Sequence, residues 1–310
     1  MLTRRHIRIK IMQSVYALSN GNQNSLSEEV KFIKKSLTGV FDLYLINLSF
    51  FKALQQHASS QHEINNTKVR TKDAFAPLHQ VIANNKSLRF IAENKKLNQF
   101  IDNKKLNQWD LEFDYVKKIY SKILESDIFK AHKDIENPSD AEDVSFVSSI
   151  FKNIIAPDDM LYRFFEDQNM TWIDDLPLVN TFLIKQLKRL DLNSESSLEF
   201  PDYNESQEDI SFGIDLFEKV IVNEDELQKE LDGKTPNWDS ERIANLDSIL
   251  IKLAIAELFY FSNIPPKVTL NEYLEIAKEY STPKSNSFIN GVLDNLVKEY
   301  EKSNRMNKQG

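Results

Sequence analysis

The sequence predicts an all-α protein assembled from helical bundles. Three observations lead there. Only six glycines and nine prolines occur in 310 residues, too few turn residues for a β architecture. Apolar residues recur three and four positions apart from the start, with Ile7, Ile11, Val15 and Leu18 the earliest series. Near the C-terminus an almost unbroken apolar run, Ile249 to Leu258, lies between polar segments, and a helix apolar on nearly every side belongs at the centre of a bundle. Hydrophobic residues make up 41% of the chain, and its length suits one large or two ordinary domains. The formal charge of −8 argues against a general nucleic-acid coat, so any nucleic-acid site must be a local patch. The absence of cysteine excludes disulfides and thiolate chemistry and fits a reducing cytoplasm. No apolar signal core opens the chain, and no stretch reads as long and apolar enough to cross a membrane.

The first helix is expected over residues 3–18, with Thr3 as its N-cap. From Ile11 onward it is apolar nearly all round, with Met12 and Tyr16 on a second side, and should be buried. Its first turns carry Arg4, Arg5, His6, Arg8 and Lys10, and no acid stands among the first twenty residues. Cations at a helix N-terminus oppose the macrodipole, so local stability does not account for them. A phosphate backbone would, because arginine forks match phosphate oxygens. A solvated basic end is the bland alternative.

Residues 19–27 are polar and read as a loop. A long helix should follow from about Glu28 to Gln56, its later aromatics in the core, before a polar stretch over 57–73. His57 and His62 in that region have no accompanying carboxylate cluster, so no metal site is expected. From 74 to 135 the pattern is helical but irregular. It contains a nine-residue tandem repeat, Asn94-Lys95-Lys96-Leu97-Asn98-Gln99-Phe100 and Asn103-Lys104-Lys105-Leu106-Asn107-Gln108-Trp109. Lysines interleaved with aromatics can bind single strands; two amphipathic turns with solvated lysines and buried rings are the simpler expectation.

A larger repeat spans 66 residues. Glu142 through Phe146 matches Glu208 through Phe212, Ile150-Phe151 matches Leu216-Phe217, Leu161 matches Leu227 and Trp172 matches Trp238. Leu183-Ile184-Lys185 then falls on Leu250-Ile251-Lys252 after a one-residue shift. A duplicated helical unit is inferred, degenerate in its first copy (about 142–190) relative to the second (208–253), with an acidic linker over 191–207. After the apolar run, Ile264-Pro265-Pro266 stops the helix. Thr269 with Glu272 reads as a capping box opening the next. Pro283 ends that helix, and Ser285 is expected to cap a last one. Gly291 inside it costs about 1 kcal/mol relative to alanine, which close helix–helix approach would offset.

The order Trp238, Arg242, Asp247, Ile249-Leu250, Ala254, Glu257-Leu258, Ile264-Pro265, Lys267-Val268, Asn271-Glu272, Ala277-Lys278 and Phe288-Ile289-Asn290-Gly291-Val292-Leu293-Asp294 resembles the C-terminal half of the NusB transcription antitermination family. The basic helix ending in Gln13-Ser14-Val15-Tyr16 is similar to that family's arginine-rich start. The resemblance implies a NusB-like RNA-binding core over 1–25 plus 206–300, a helical insertion over 26–205 and a flexible tail over 301–310. It implies RNA contact by Arg4, Arg5 and Arg8, with His6 and Lys10 as helpers. The protein partner would lie near Glu241, Asp247, Asn271 and Glu272. Expected partners are boxA-type single-stranded RNA, the ribosomal protein NusE and the RNA polymerase antitermination complex, with no membrane and no cofactor, in the cytoplasm.

An enzyme is not expected. No Gly-rich phosphate loop, His-Glu-x-x-His or Gly-x-Ser-x-Gly motif occurs. Glu257, inside the apolar run, is assigned a structural or partner role. The alternative to RNA binding is a helical protein-interaction scaffold whose basic helix sits in solvent.

Overall fold

The computed structural model describes residues 2–21, 25–67, 76–201, 203–233, 244–303 and 305–306. Among the described residues there are sixteen α-helices and no strand. In chain order they are α1 (Arg4–Ser19), α2 (Leu26–Thr67), α3 (Ala76–Ala83), α4 (Lys86–Glu93), α5 (Lys95–Lys104), α6 (Gln108–Leu111), α7 (Phe113–Glu125), α8 (Asp127–Lys133), α9 (Asp140–Ile150), α10 (Asp159–Gln168), α11 (Leu176–Leu187), α12 (Tyr203–Val222), α13 (Glu224–Asp232), α14 (Asn245–Tyr260), α15 (Pro266–Tyr280) and α16 (Pro283–Lys302). They form two compact units. One comprises Gly39–Pro201; the other joins Leu2–Thr38 to Asp202–Gly310. Residues 26–38, expected in the insertion, therefore lie in the second unit, where Ile33 and Leu37 enter the core.

The second unit is built around α14. Every residue from Ile249 to Leu258 is buried, as the apolar run predicts, and α1, α12, α13, α15 and α16 all pack against it. Thr3 caps α1 as expected, its hydroxyl accepting from the His6 amide at 3.4 Å. Ile7, Ile9, Ile11, Met12 and Val15 are buried, but Tyr16 is exposed. The capping box at Thr269 and Glu272 is not formed. The helix starts one turn earlier, where Pro266 takes the first helical position, at which a missing N–H costs nothing. Thr282, not Ser285, caps α16, its hydroxyl accepting from the Ser285 amide at 3.2 Å. Gly291 has open space where a Cβ would stand, so close packing does not explain it. The close approach is at Gly213 of α12, where a Cβ would come within 2.8 Å of Ile7 Cγ2. The expected flexible tail is partly tied down, since Arg305 pairs with Glu230 at 2.7 Å.

In the first unit, α2 runs on to Thr67, past its expected end. The stretch Leu26–Ile64 is long and apolar enough to span a membrane by composition, contrary to the sequence reading, and 78% of its most apolar window is buried inside the protein. Of the lysine-repeat rings Trp109 is buried, its indole donating to the Ile46 carbonyl at 2.8 Å, and Phe100 is half-buried, packed edge-on against Phe41. Lys95, Lys96, Lys104 and Lys105 are exposed. A true capping box, Ser139 with Glu142, opens α9.

The helices of the two repeat stretches follow in the same order, α9, α10, α11 and α12, α13, α14. Buried Phe146, Ile150, Phe151 and Leu161 fall on buried Phe212, Leu216, Phe217 and Leu227. A π-turn over Phe151–Ile155 follows α9. Its extra residue rotates the apolar face, so Ile155 is buried four residues after Phe151, whereas Val220 is buried three after Phe217. Trp172 is buried and donates to the Gly39 carbonyl at 3.0 Å; its expected counterpart Trp238 lies outside the described residues. The linker expected over 191–207 is not all loose. Leu198 is buried, and α12 begins within that stretch.

Candidate nucleic-acid interface

The five N-terminal basic residues divide by helical position into an inward and an outward set. Arg8 is one turn beyond Arg4, where α1 already buries Ile7 and Ile11, and its side chain is 2% exposed. A cation taken out of water must be paired. Glu257 of α14 meets it fork to fork: Nε donates to Oε2 at 2.7 Å and Nη2 to Oε1 at 2.8 Å. Two donors from α15 complete the carboxylate, Thr269 Oγ1 at 2.8 Å and the Tyr273 hydroxyl at 3.3 Å. A carboxylate offers about four acceptor sites, so this one is filled. Burial alone would lower the Arg8 pKa, but the hydrogen bonds and charge of Glu257 raise it, and the guanidinium stays charged. Burial, then the negative Glu257, pushes the Tyr273 hydroxyl well up, which keeps its donor proton.

Lys10 is also buried and donates to Ser36 Oγ at 3.0 Å. Both side chains are almost wholly enclosed, and Arg8 touches only the floor of the groove lined by its outward neighbours. The expectation of RNA contact by Arg8, with Lys10 as a helper, thus falls on side chains that long-range partners, invisible within the first twenty residues, already engage.

Arg4, Arg5 and His6 form the outward set. With Asn263, Pro265 and Val268 they line a groove of about 670 Å³. Arg4 lies over the Phe212 ring, 4.4 Å from its centroid, and its Nε reaches Asp209 at 3.2 Å. Arg5 grips Glu272 through Nε at 3.0 Å and Nη2 at 2.9 Å. The hydrogen bond from Arg5 holds the Glu272 carboxyl below the usual range against partial burial. His6 Nδ1 lies 2.6 Å from the Thr3 hydroxyl.

The expected protein-partner residues do not form one exposed patch. Asp247 is buried and accepts from Ser281 Oγ at 2.7 Å. Glu272 is engaged by Arg5, Asn271 is exposed, and Glu241 lies outside the described residues. Sequence reasoning passes over Asp209, Thr269 and Tyr273. One signal was present: a lone glutamate inside an apolar run requires a cation from elsewhere, and Arg8 stands where the apolar face of α1 begins.

The NusB family profile matches residues 179–298. The "Transcription antitermination protein NusB" of Salinibacter ruber is 38% identical over 99 residues, 32% of this chain and 62% of that protein. The protein of the same name from Chloroherpeton thalassium is 39% identical over 95 residues, 31% and 45% of the two chains. The chain thus spans less than two thirds of these two relatives. It covers 81% of the Dictyoglomus thermophilum protein of that name, at 34% identity over 119 residues and 38% of this chain. No solved structure matches. With a relative covered over most of its length at this identity and an all-helical architecture, the chain belongs to the NusB family.

Proposed function

We propose that the chain is a non-enzymatic transcription antitermination factor that binds boxA-type single-stranded RNA of ribosomal RNA leaders together with NusE, within the RNA polymerase antitermination complex in the cytoplasm. Gly39–Pro201, rather than the whole of 26–205, is then a helical insertion into a NusB-like core. The observation that supports RNA binding is the groove at the outward end of α1, where Arg4, Arg5 and His6 stand beside the apolar Pro265 and Val268. Guanidinium N–H groups not aimed at the carboxylates remain for phosphate oxygens, since each arginine carries five donors. Arg8 and Lys10 serve by holding α1 in place.

The test is a titration of the chain with a boxA-type RNA, with and without NusE. Arg4→Ala and Arg5→Ala should each weaken binding and flatten the log affinity–log salt slope by about 0.7, the ion release per single-strand phosphate contact. Wild-type affinity and slope in the double variant would overturn the assignment. The near-complete pairing of the arginines favours one competing reading, a protein-interaction scaffold; that reading requires no salt-dependent RNA affinity at all.

A further inference from the structure

The charge at the head of α1 is balanced. Three arginines stand there, and three carboxylates meet them: Arg4 with Asp209, Arg5 with Glu272 and Arg8 with Glu257. These acids come from α12, α15 and α14, far away in sequence. Glu275 and Glu279 on α15 add further negative charge felt by Arg5. The patch that reads as strongly basic in sequence is therefore close to neutral at the surface.

Glu257 has a structural duty, buried and saturated with donors. Asp209 does not share it, and Glu272 does so only in part, its Oε2 lying 3.7 Å from Arg8 Nη1. Their side chains are 24% and 21% exposed, and they pair with Arg4 and Arg5, each 39% exposed; Glu272 lines the groove, while Asp209 holds Arg4 from behind it. A phosphate approaching Arg4 or Arg5 meets a carboxylate already in place and is repelled by it. Non-specific affinity for polyanions is almost wholly electrostatic, drawn from counterions released on neutralising phosphates. Two carboxylates fixed beside the two solvent-facing arginines cancel most of that term while leaving the guanidinium planes oriented.

We infer that Asp209 and Glu272 are specificity-determining residues: they suppress binding of arbitrary single-stranded polyanions at the Arg4–Arg5 groove, so that an RNA is retained only when it makes contacts beyond its phosphates. This rests on the RNA-binding reading for its purpose but not for its test. Because the Arg5 hydrogen bond holds the Glu272 carboxyl down, the suppression persists throughout the neutral and mildly acidic range.

The experiment measures binding of polyuridylate and of a boxA-type RNA to the full chain and to the Asp209→Asn, Glu272→Gln and double variants at several salt concentrations, each variant first checked by thermal melt. The double variant should bind polyuridylate about fivefold more tightly at low salt, a gain set by the modest worth of exposed ion pairs. Its salt slope should steepen by up to about 1.4 units as two arginines are freed to neutralise phosphates. The ratio of boxA-type to polyuridylate affinity should fall. Unchanged or weaker polyuridylate binding would overturn the inference and make the two acids positioning residues for the arginines. Should Glu272→Gln fail to fold, Asp209→Asn alone carries the test, with a gain of about twofold for its one pair. If the wild type prefers no RNA but the double variant gains polyuridylate affinity, the suppression stands and the RNA reading falls. If the wild type binds boxA-type RNA and the variants gain nothing, the reverse holds.

Discussion

The two stretches that the sequence relates by a 66-residue shift bury their third helices differently. In the second stretch α14 is enclosed on all sides and carries a charged glutamate matched by Arg8. In the first, α11 ends at Leu187 and buries only one face. At the position of Leu253 it carries Gln186, whose amide donates to the Glu199 carbonyl at 2.8 Å and whose carbonyl lies 2.8 Å from the Tyr44 hydroxyl. One copy satisfies its buried polarity with neutral hydrogen bonds, the other with an ion pair. Only the second has a basic helix alongside. Two stretches with matching apolar positions thus part company at one buried carboxylate and the arginine that answers it.

The ion pair gives the largest test. Arg8→Ala should destabilise the chain by about 3–5 kcal/mol, the cost of leaving a buried charge unpaired, as read by chemical denaturation. The sequence alone suggested the opposite, that removing this arginine leaves stability untouched. Arg8→Met with Glu257→Leu should recover much of the loss, since a packed apolar pair often does as well. A single variant as stable as wild type would show that the pair has no structural weight.

Leu253→Ala comes next, at roughly 2–5 kcal/mol for emptying a buried leucine site; an unchanged melt would remove Leu253 from the core. At the matching position, Gln186→Leu should cost about 0.5–1.5 kcal/mol, one ordinary hydrogen bond, because the Tyr44 hydroxyl stays 2.6 Å from the Glu199 carbonyl. A stability gain there would mean that the first unit tolerates an apolar third helix like that of the second.

The smallest effect concerns pH. The Glu272 carboxyl is depressed in the folded chain, so its contribution is fully present above the ordinary carboxylate pKa and is lost as pH falls through the lower, folded value. Stability should therefore be insensitive to this group from pH 7 to 5 and decline only below. For an exposed pair the whole contribution is under about 1 kcal/mol. Glu272→Gln should flatten the acid limb of the stability curve, and an identical limb in both proteins would refute the pairing.

Periodicity made α1 and α14 legible, since Ile7, Ile11 and the run from Ile249 to Leu258 have no other reasonable fate. Local rules failed where tertiary partners outbid them. Thr269 and Glu272 have capping-box spacing, but their polar groups are used by Glu257 on the preceding helix and by Arg5, 267 residues from Glu272. The dipole rule correctly marked the arginines as locally unfavourable. It could not say whether solvent, RNA or remote acids repay them, and for Arg8 the answer is Glu257. Gly213 and Gly291 look alike in sequence, yet only Gly213 meets a neighbouring helix.

The separation of Arg8 from Glu257, 249 residues along the chain, bears on how the protein is made. During synthesis α1 leaves the ribosome well before α14, with a cation meant for burial and no partner yet in existence. Translation at about 5–20 residues per second puts the arrival of Glu257 on the order of tens of seconds later. All of Gly39–Pro201 is made in the interval and can form its own core, while the opening segment waits in water. In that waiting form Arg4, Arg5, Arg8 and Lys10 are all uncovered, so the nascent chain is more basic at its head than the finished protein. Closing the loop through Glu257 both completes the second bundle and retires that charge.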